Sequence, residues 1–255
     1  GANGILRLLV SSNGIVWSTL ETFEMEGWDL RDPHLAIMPN GYLQLLAGAS
    51  IYKSKEERSA HKSIVAFSED GKRWTPFETI QIGEEWLWRS TWHKGKGYGV
   101  SYYFLDRNNP EGAWGIKLYE TTDGLHYKPI TDWPIPGKPN ETSLQFLPND
   151  QMVALVRRNG AGQRNAWIGT SFPPYIDWLW SETNHYIGGP QFFIQPSGNM
   201  WAAGRVAAYT PYGAFCKTAL WKMTLTAIEP VLILPSFGDC SYPGLVYDSP
   251  YLWMS

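Results

Sequence analysis

The chain has 255 residues and a net charge of −3, with 24 acidic against 21 basic side chains, so it carries no basic footprint for nucleic acid. Its 14 tryptophans, 14 tyrosines and 25 glycines, with only 18% charged residues, suit pleated sheets and tight turns rather than helices. No apolar run is long enough to span a membrane, and Cys216 and Cys240 read as two unpaired core thiols rather than a disulfide framework.

In chain order, the first predicted element is the apolar strand Ile5–Val10. It runs into the phrase Ser11-Ser12-Asn13-Gly14-Ile15-Val16-Trp17. The same phrase returns as Ser68-Glu69-Asp70-Gly71-Lys72-Arg73-Trp74 after the strand Ser63–Phe67, and as Thr121-Thr122-Asp123-Gly124-Leu125-His126-Tyr127. Each copy is a hydroxyl residue, an Asn/Asp-Gly hairpin turn and an aromatic three residues past the glycine. A second, strand-turn-strand phrase lies between these copies. It comprises Leu35–Leu46 about Asn40-Gly41, Leu144–Leu155 about Asn149-Asp150 and Phe192–Trp201 about Ser197-Gly198. Thr91–Val100 and Gly244–Trp253 follow it more loosely.

Alternating the two hairpins gives four strands per roughly 50-residue repeat, the dimension of a propeller blade. The predicted fold is therefore all-β: a β-propeller of about five four-stranded blades in one domain over residues 1–255. Its last blade is expected from about 242–255 plus 1–20, the N- and C-terminal strands pairing to close the ring. The alternative is a truncated six-bladed ring.

The first strand of each blade lines the channel, and its start shares one mouth with the end of the second strand. Aligning the repeats places Arg31, Arg89, Glu141, Gly189 and Tyr242 at the first of these positions, and Gly48, Tyr102, Arg157, Arg205 and Ser255 at the second. Such arginines either form salt bridges between blades or, as rigid forks, hold an anion. Trp86, Trp88, Trp92 and Trp114 suit either stacking on sugar faces or packing between sheets, and His93 lies near the mouth as a candidate substrate contact. Asn140-Glu141-Thr142 matches a glycosylation acceptor by chance at this mouth. The histidines are scattered singly, and no phosphate loop, zinc motif or serine-hydrolase elbow occurs, so neither a metal nor a cofactor is expected.

This pattern resembles the sialidase superfamily. The Ser-x-Asp-Gly-x-x-Trp turns are similar to degenerate Asp-boxes, and Arg31-Asp32-Pro33 to the motif of the first carboxylate-binding arginine. Asn140-Glu141-Thr142 with Met152–Arg157 resembles the segment bearing the catalytic glutamate and second arginine. Arg205 and Tyr242 fall where the third arginine and the tyrosine nucleophile would be. The resemblance implies a sialidase-like glycoside hydrolase acting on a terminal acidic sugar. In it Glu141 would draw the proton from Tyr242, and the arginines would clamp the sugar carboxylate. The family's acid/base aspartate belongs on the loop after Arg31; here Tyr52–Arg58 offers glutamates, with Glu56 as the candidate. The family also implies a secreted or periplasmic setting, although Gly1–Gly4 opens no signal peptide. Two other readings stand beside it. One is a non-catalytic carbohydrate-binding or assembly propeller; the other is a five-bladed furanosidase-type hydrolase, which needs three carboxylates at the mouth. The oligomeric state is left open.

Overall fold

The hydroxyl-x-Asx-Gly phrase folds the same way each time it appears. The computed structural model describes residues 4–54, 58–106, 109, 111–210, 213–236 and 240–255. Ser11 Oγ accepts the Gly14 N–H at 2.8 Å, while Asn13 Oδ1 accepts those of Ile15 and Val16 at 2.9 and 3.0 Å. Ser68 with Asp70, and Thr121 with Asp123, repeat this set on Gly71 and Gly124. The indoles of Trp17 and Trp74 close the turn by donating to the glycine carbonyl, each at 3.2 Å. Gly14, Gly71 and Gly124 have φ of 71°, 72° and 78°, which explains the glycine. A fourth copy had no sequence signal: Trp178 donates to the Tyr175 carbonyl at 2.9 Å, and Tyr175 holds the left-handed position with φ 65°.

These turns close the strands that end at Val10, Ser68, Thr121 and Ser171. The described strands are β1 (Leu6–Val10) and β2 (Ser18–Phe23); then β3 (Asp29–Ile37), β4 (Leu43–Tyr52), β5 (Arg58–Ser68) and β6 (Glu78–Thr79); then β7 (Trp86–His93), β8 (Lys96–Phe104), β9 (Trp114–Thr121) and β10 (Tyr127–Asp132). They continue with β11 (Pro139–Phe146), β12 (Met152–Arg158), β13 (Trp167–Ser171) and β14 (Leu179–Glu182). β15 (Gly188–Ile194), β16 (Met200–Thr210), β17 (Gly213–Met223) and β18 (Ile228–Ile233) follow, and β19 (Leu245–Asp248) and β20 (Tyr251–Met254) close the list. β3–β6, β7–β10, β11–β14 and β15–β18 each form a four-stranded sheet in sequential order, the blade unit of a propeller. No helix is found among the described residues, and none is long and apolar enough to cross a membrane.

The expected fifth blade is not formed. β1 pairs with β2, from Leu6 opposite Phe23, and β19 pairs with β20, from Leu245 opposite Met254. Each terminal segment is a local hairpin in its own two-stranded sheet, so there are four complete blades. A hairpin satisfies its own ladder across a short loop, whereas closure asks for pairing across the whole sequence. Cys216 and Cys240 are free, as expected, but half-buried rather than in the core.

The chain divides into two compact units, residues 1–99 with 120–128 and residues 100–119 with 129–255. In the first, Leu6, Leu30, Ala47, Ala49 and Ile64 form the core on which the β1–β2 hairpin rests. Gln44, fully buried, donates to the Gly124 carbonyl at 2.9 Å and accepts from the Trp92 indole at 3.1 Å, tying one blade to the turn of the next. In the second, Val153, Leu155, Ile168, Phe192, Ala202 and Trp221 fill the space between two blades. Ser143 donates to the Pro190 carbonyl at 2.6 Å, and Gln145 to the Phe192 carbonyl at 3.1 Å.

Candidate functional site

The site forms in the second unit, where β11, β15 and the segment before β19 run side by side. Three first strands, β3, β11 and β15, begin with a bulge at the same register position. Arg31 pairs with Gly48 but His34 with Leu46; Pro139 pairs with Arg158 but Thr142 with Val156; Gly188 pairs with Arg205 but Gln191 with Ala203. This shared register replaces the sequence alignment, in which Glu141 stood two positions and Gly189 one position past the residue that corresponds to Arg31. Arg31 corresponds to Pro139 and Gly188, and Arg205 to Arg158 rather than Arg157. Glu141 corresponds to Pro33 and Pro190. A one-residue slip turns a side chain to the opposite face, and bulges re-aim side chains beside active sites.

Asp32, Gly189 and Tyr242 each precede a proline with φ of 50°, 55° and 65°. The chain thus makes the same left-handed step before a proline in three repeats. Only at Gly189 is this conformation free of cost; Tyr242 holds it as an aromatic, the kind of stored strain found at functional sites.

Glu141, 7% exposed, collects three donors. Its Oε2 accepts from Arg157 Nη1 and from the Gly189 N–H at 3.0 Å, and its Oε1 accepts from the Tyr242 hydroxyl at 3.2 Å. Asn140 fixes the bulge beneath it, accepting the Glu141 N–H at 2.8 Å and donating to the Lys138 carbonyl at 3.0 Å. Asn140 is only 2% exposed, so its match to a glycosylation acceptor is without consequence. Arg157 Nε donates to Asn159 at 3.2 Å, and its guanidinium lies 5.8 Å from the Tyr186 ring centre. Burial is the largest influence and works against its charge, but the Glu141 carboxylate and the Tyr186 and Tyr242 phenols together raise its pKa. The Arg205 guanidinium sits 5.8 Å over the Tyr242 ring. Ser241 donates to the Gly188 carbonyl at 2.7 Å and seats the tyrosine segment on β15.

Four of the sequence candidates, Glu141, Arg157, Arg205 and Tyr242, therefore meet in one place. Tyr102, in the same unit, stacks on Trp114 with centroids 5.9 Å apart and 7° between planes. Arg31, Arg89, Trp88 and His93 belong to the first unit. There Arg31 is paired with Asp29 at 2.7 Å and lies 5.0 Å over the Tyr52 ring. Trp88 is wholly buried and set edge-on to His34, so its ring packs the core. Arg89 and His93 are half-buried on β7, and Glu56 lies outside the described residues. Asn159 and Tyr186 were not anticipated, and Ser241 was read only as the neighbour of Tyr242; each supports another site residue. Among the described residues no cluster of His, Cys, Asp and Glu could hold a metal.

No family model and no curated protein matches the chain. Solved structures do. An alpha-L-arabinofuranosidase of Fusarium graminearum is similar with a TM-score of 0.62 at 15% identity, covering 97% of this chain and 77% of its own. A mannose phosphorylase of Leishmania mexicana gives 0.60 at 12% identity, covering 88% and 78%. A Bombyx mori GH32 beta-fructofuranosidase gives 0.57 at 14% identity, covering 88% of this chain and 55% of that one, so the chain spans about half its length. At these identities the likeness concerns the fold, and the four-stranded sheets of this chain are the blades of a β-propeller.

Proposed function

We propose that the chain is a carbohydrate-active propeller whose second unit acts on a terminal acidic sugar. The observation that carries this reading is the Tyr242–Glu141 hydrogen bond of 3.2 Å, flanked by Arg157 and Arg205. The names of the structural neighbours, glycoside hydrolases and phosphorylases, support the substrate class.

In this mechanism Glu141 Oε1 accepts the phenolic proton as Tyr242 Oη attacks the anomeric carbon, and the bond to the aglycone oxygen breaks as that oxygen takes a proton. Water then attacks the tyrosyl-linked sugar and returns the phenol. A phenol suits an anionic substrate, because a carboxylate nucleophile would be repelled by the sugar's own charge. Arg205 and Arg157 hold the sugar carboxylate in charge-assisted hydrogen bonds.

One observation favours a second reading. Glu141 also ties the Gly189 backbone and Arg157, so it joins consecutive repeats as a structural strut. A binding module needs only that frame and the arginines.

The test is turnover of aryl glycosides of N-acetylneuraminic and glucuronic acids, with an aryl arabinofuranoside for comparison. Hydrolysis of an acidic glycoside is expected, with Arg205→Ala weakening binding by about 10- to 100-fold. Hydrolysis of the neutral furanoside alone would overturn the acidic-sugar reading.

A further inference from the structure

A cavity of about 410 Å3 opens beside the loops that lead into β11 and out of β12, the strands that carry Glu141 and Arg157, and it lies wholly in the second unit. Its walls include Trp114, the Pro134–Lys138 segment, Gly160 and Gln163. The size is that of a small-molecule site. Its lining is one indole, a few apolar side chains, an ammonium and an amide, a combination suited to a sugar ring with an apolar face and hydroxyl edges.

The cavity is built rather than incidental. Gly137 has φ 86°, and a Cβ on Gly160 would lie 2.6 Å from the Gly137 Cα, so only glycines let the two loops meet. Arg158, 1% exposed, braces the wall: it donates to the Pro136 carbonyl at 3.3 Å and to the Asn165 carbonyl at 2.7 Å, and pairs with Glu182. Lys138 keeps a left-handed φ of 54° and sets its ammonium 5.9 Å from the Trp114 ring centre. Tyr102 backs the same indole.

Asn159 joins this cavity to the Glu141 centre. Its backbone N–H reaches the carbonyls of Gly137 and Lys138 at 3.0 and 3.2 Å, while its side chain accepts from Arg157. Lys138 in turn stands three residues before Glu141. One short segment therefore positions both places.

We propose that this cavity is a second sugar subsite, with Trp114 stacking on the ring that follows the acidic residue and Lys138 and Gln163 reaching its hydroxyls. This rests on the proposed action on acidic sugars, and it makes the substrate at least a disaccharide.

Calorimetric titration of the whole chain tests it, with N-acetylneuraminic and galacturonic acids as monosaccharides, sialyllactose and digalacturonate as their extended forms, and lactose and arabinobiose as neutral disaccharides. An extended acid should bind at least about 10-fold more tightly than its monosaccharide. Trp114→Ala should remove most of that gain and leave monosaccharide affinity unchanged. Because Trp114 also packs on Tyr102, the exposed Gln163→Ala serves as a second variant and should lower the gain in part. A gain absent from the wild type, or one that survives both variants, overturns the subsite alone. Trp114-dependent binding of a neutral disaccharide without binding of either acid sinks the acidic-sugar reading and leaves the subsite standing. Binding of no disaccharide at all overturns the subsite.

Discussion

Tyr242 and Glu141 are 101 positions apart in sequence and share a hydrogen bond of 3.2 Å. The intervening chain makes this contact by laying β11, β15 and the Ser241–Tyr242 segment side by side, each entering through the same left-handed or bulged step. Glu141 is consequently a keystone as well as a candidate base, and its two roles separate experimentally.

The structural role predicts a large stability effect. In Glu141→Ala the Arg157 guanidinium is left in a buried place without its carboxylate, a change that costs about 3–5 kcal/mol. For a chain of this size that is a fall in melting temperature of roughly 10 °C. Thermal unfolding followed by circular dichroism checks it; a fall within about 2 °C would show that the ion pair carries little of the frame. Replacing both partners, Glu141→Leu with Arg157→Met, should recover much of the loss.

Gly189→Ala tests the seating of the tyrosine. A Cβ there would lie 2.2 Å from Ser241 Oγ and 2.6 Å from Tyr242 Cδ1, at a backbone φ of 55°. Both the clash and the conformation oppose it, so a loss of about 2–4 kcal/mol is expected, together with displacement of Tyr242. Ligand binding should weaken in the fraction that remains folded. An alanine variant as stable as the wild type and equal in binding would show that the close approach at Gly189 does not occur in solution.

The first unit sets the pH range of stability. Burial, with the nearby Arg58 charge, holds the His61 pKa down at about 3, and burial with the Arg89 charge keeps His34 well below its ordinary value. His61 stacks on Trp86 at 4.1 Å and hydrogen-bonds Ser50 at 3.0 Å. The unfolded chain takes up these protons first, so their contribution is complete above about pH 6.5 and falls away below it. His61 alone should cost about 2 kcal/mol at pH 5 relative to pH 8. At the alkaline end burial lifts Tyr127 to about 12, so its contribution is lost as the pH rises through 10 to 12. Denaturant unfolding across pH 4–11 should trace a plateau between roughly 6.5 and 10. A His61→Phe variant that keeps the full acid sensitivity of the wild type would remove this histidine from the account.

The repeats were readable because the turn chemistry is local. Hydroxyl, Asx, glycine and aromatic fix one hydrogen-bond pattern within seven residues, and the three copies with glycine fold alike. The copy at Tyr175 stayed hidden because its left-handed residue is not glycine, so the sequence lacked the usual mark. The terminal half-blades were legible as the hairpins β1–β2 and β19–β20, while a ladder joining them, which local turn chemistry does not encode, is not among the described pairings. The residues of the site were legible, but their register was not. The same bulge lies in all three repeats and fixes their register; without that ladder the sequence set Arg31 against Glu141 rather than Pro139, and Arg205 against Arg157 rather than Arg158. The prolines mark the register. Pro33, Pro190 and Pro243 follow the left-handed residue in other repeats, and Glu141 occupies that place in its own, where a carboxylate replaces a residue of fixed conformation.

The central claim is that the phenol of Tyr242 is the nucleophile and Glu141 its base. The direct measurement is turnover of an aryl glycoside of an acidic sugar by the wild type and by Tyr242→Phe, with binding of the free sugar acid measured on both. The phenylalanine variant keeps the ring over which Arg205 sits and removes only the oxygen that Glu141 holds. It is expected to bind the acid within about 3-fold of the wild type while its turnover falls by at least about 1,000-fold. Equal turnover by the two proteins would contradict it and take the tyrosine out of the mechanism.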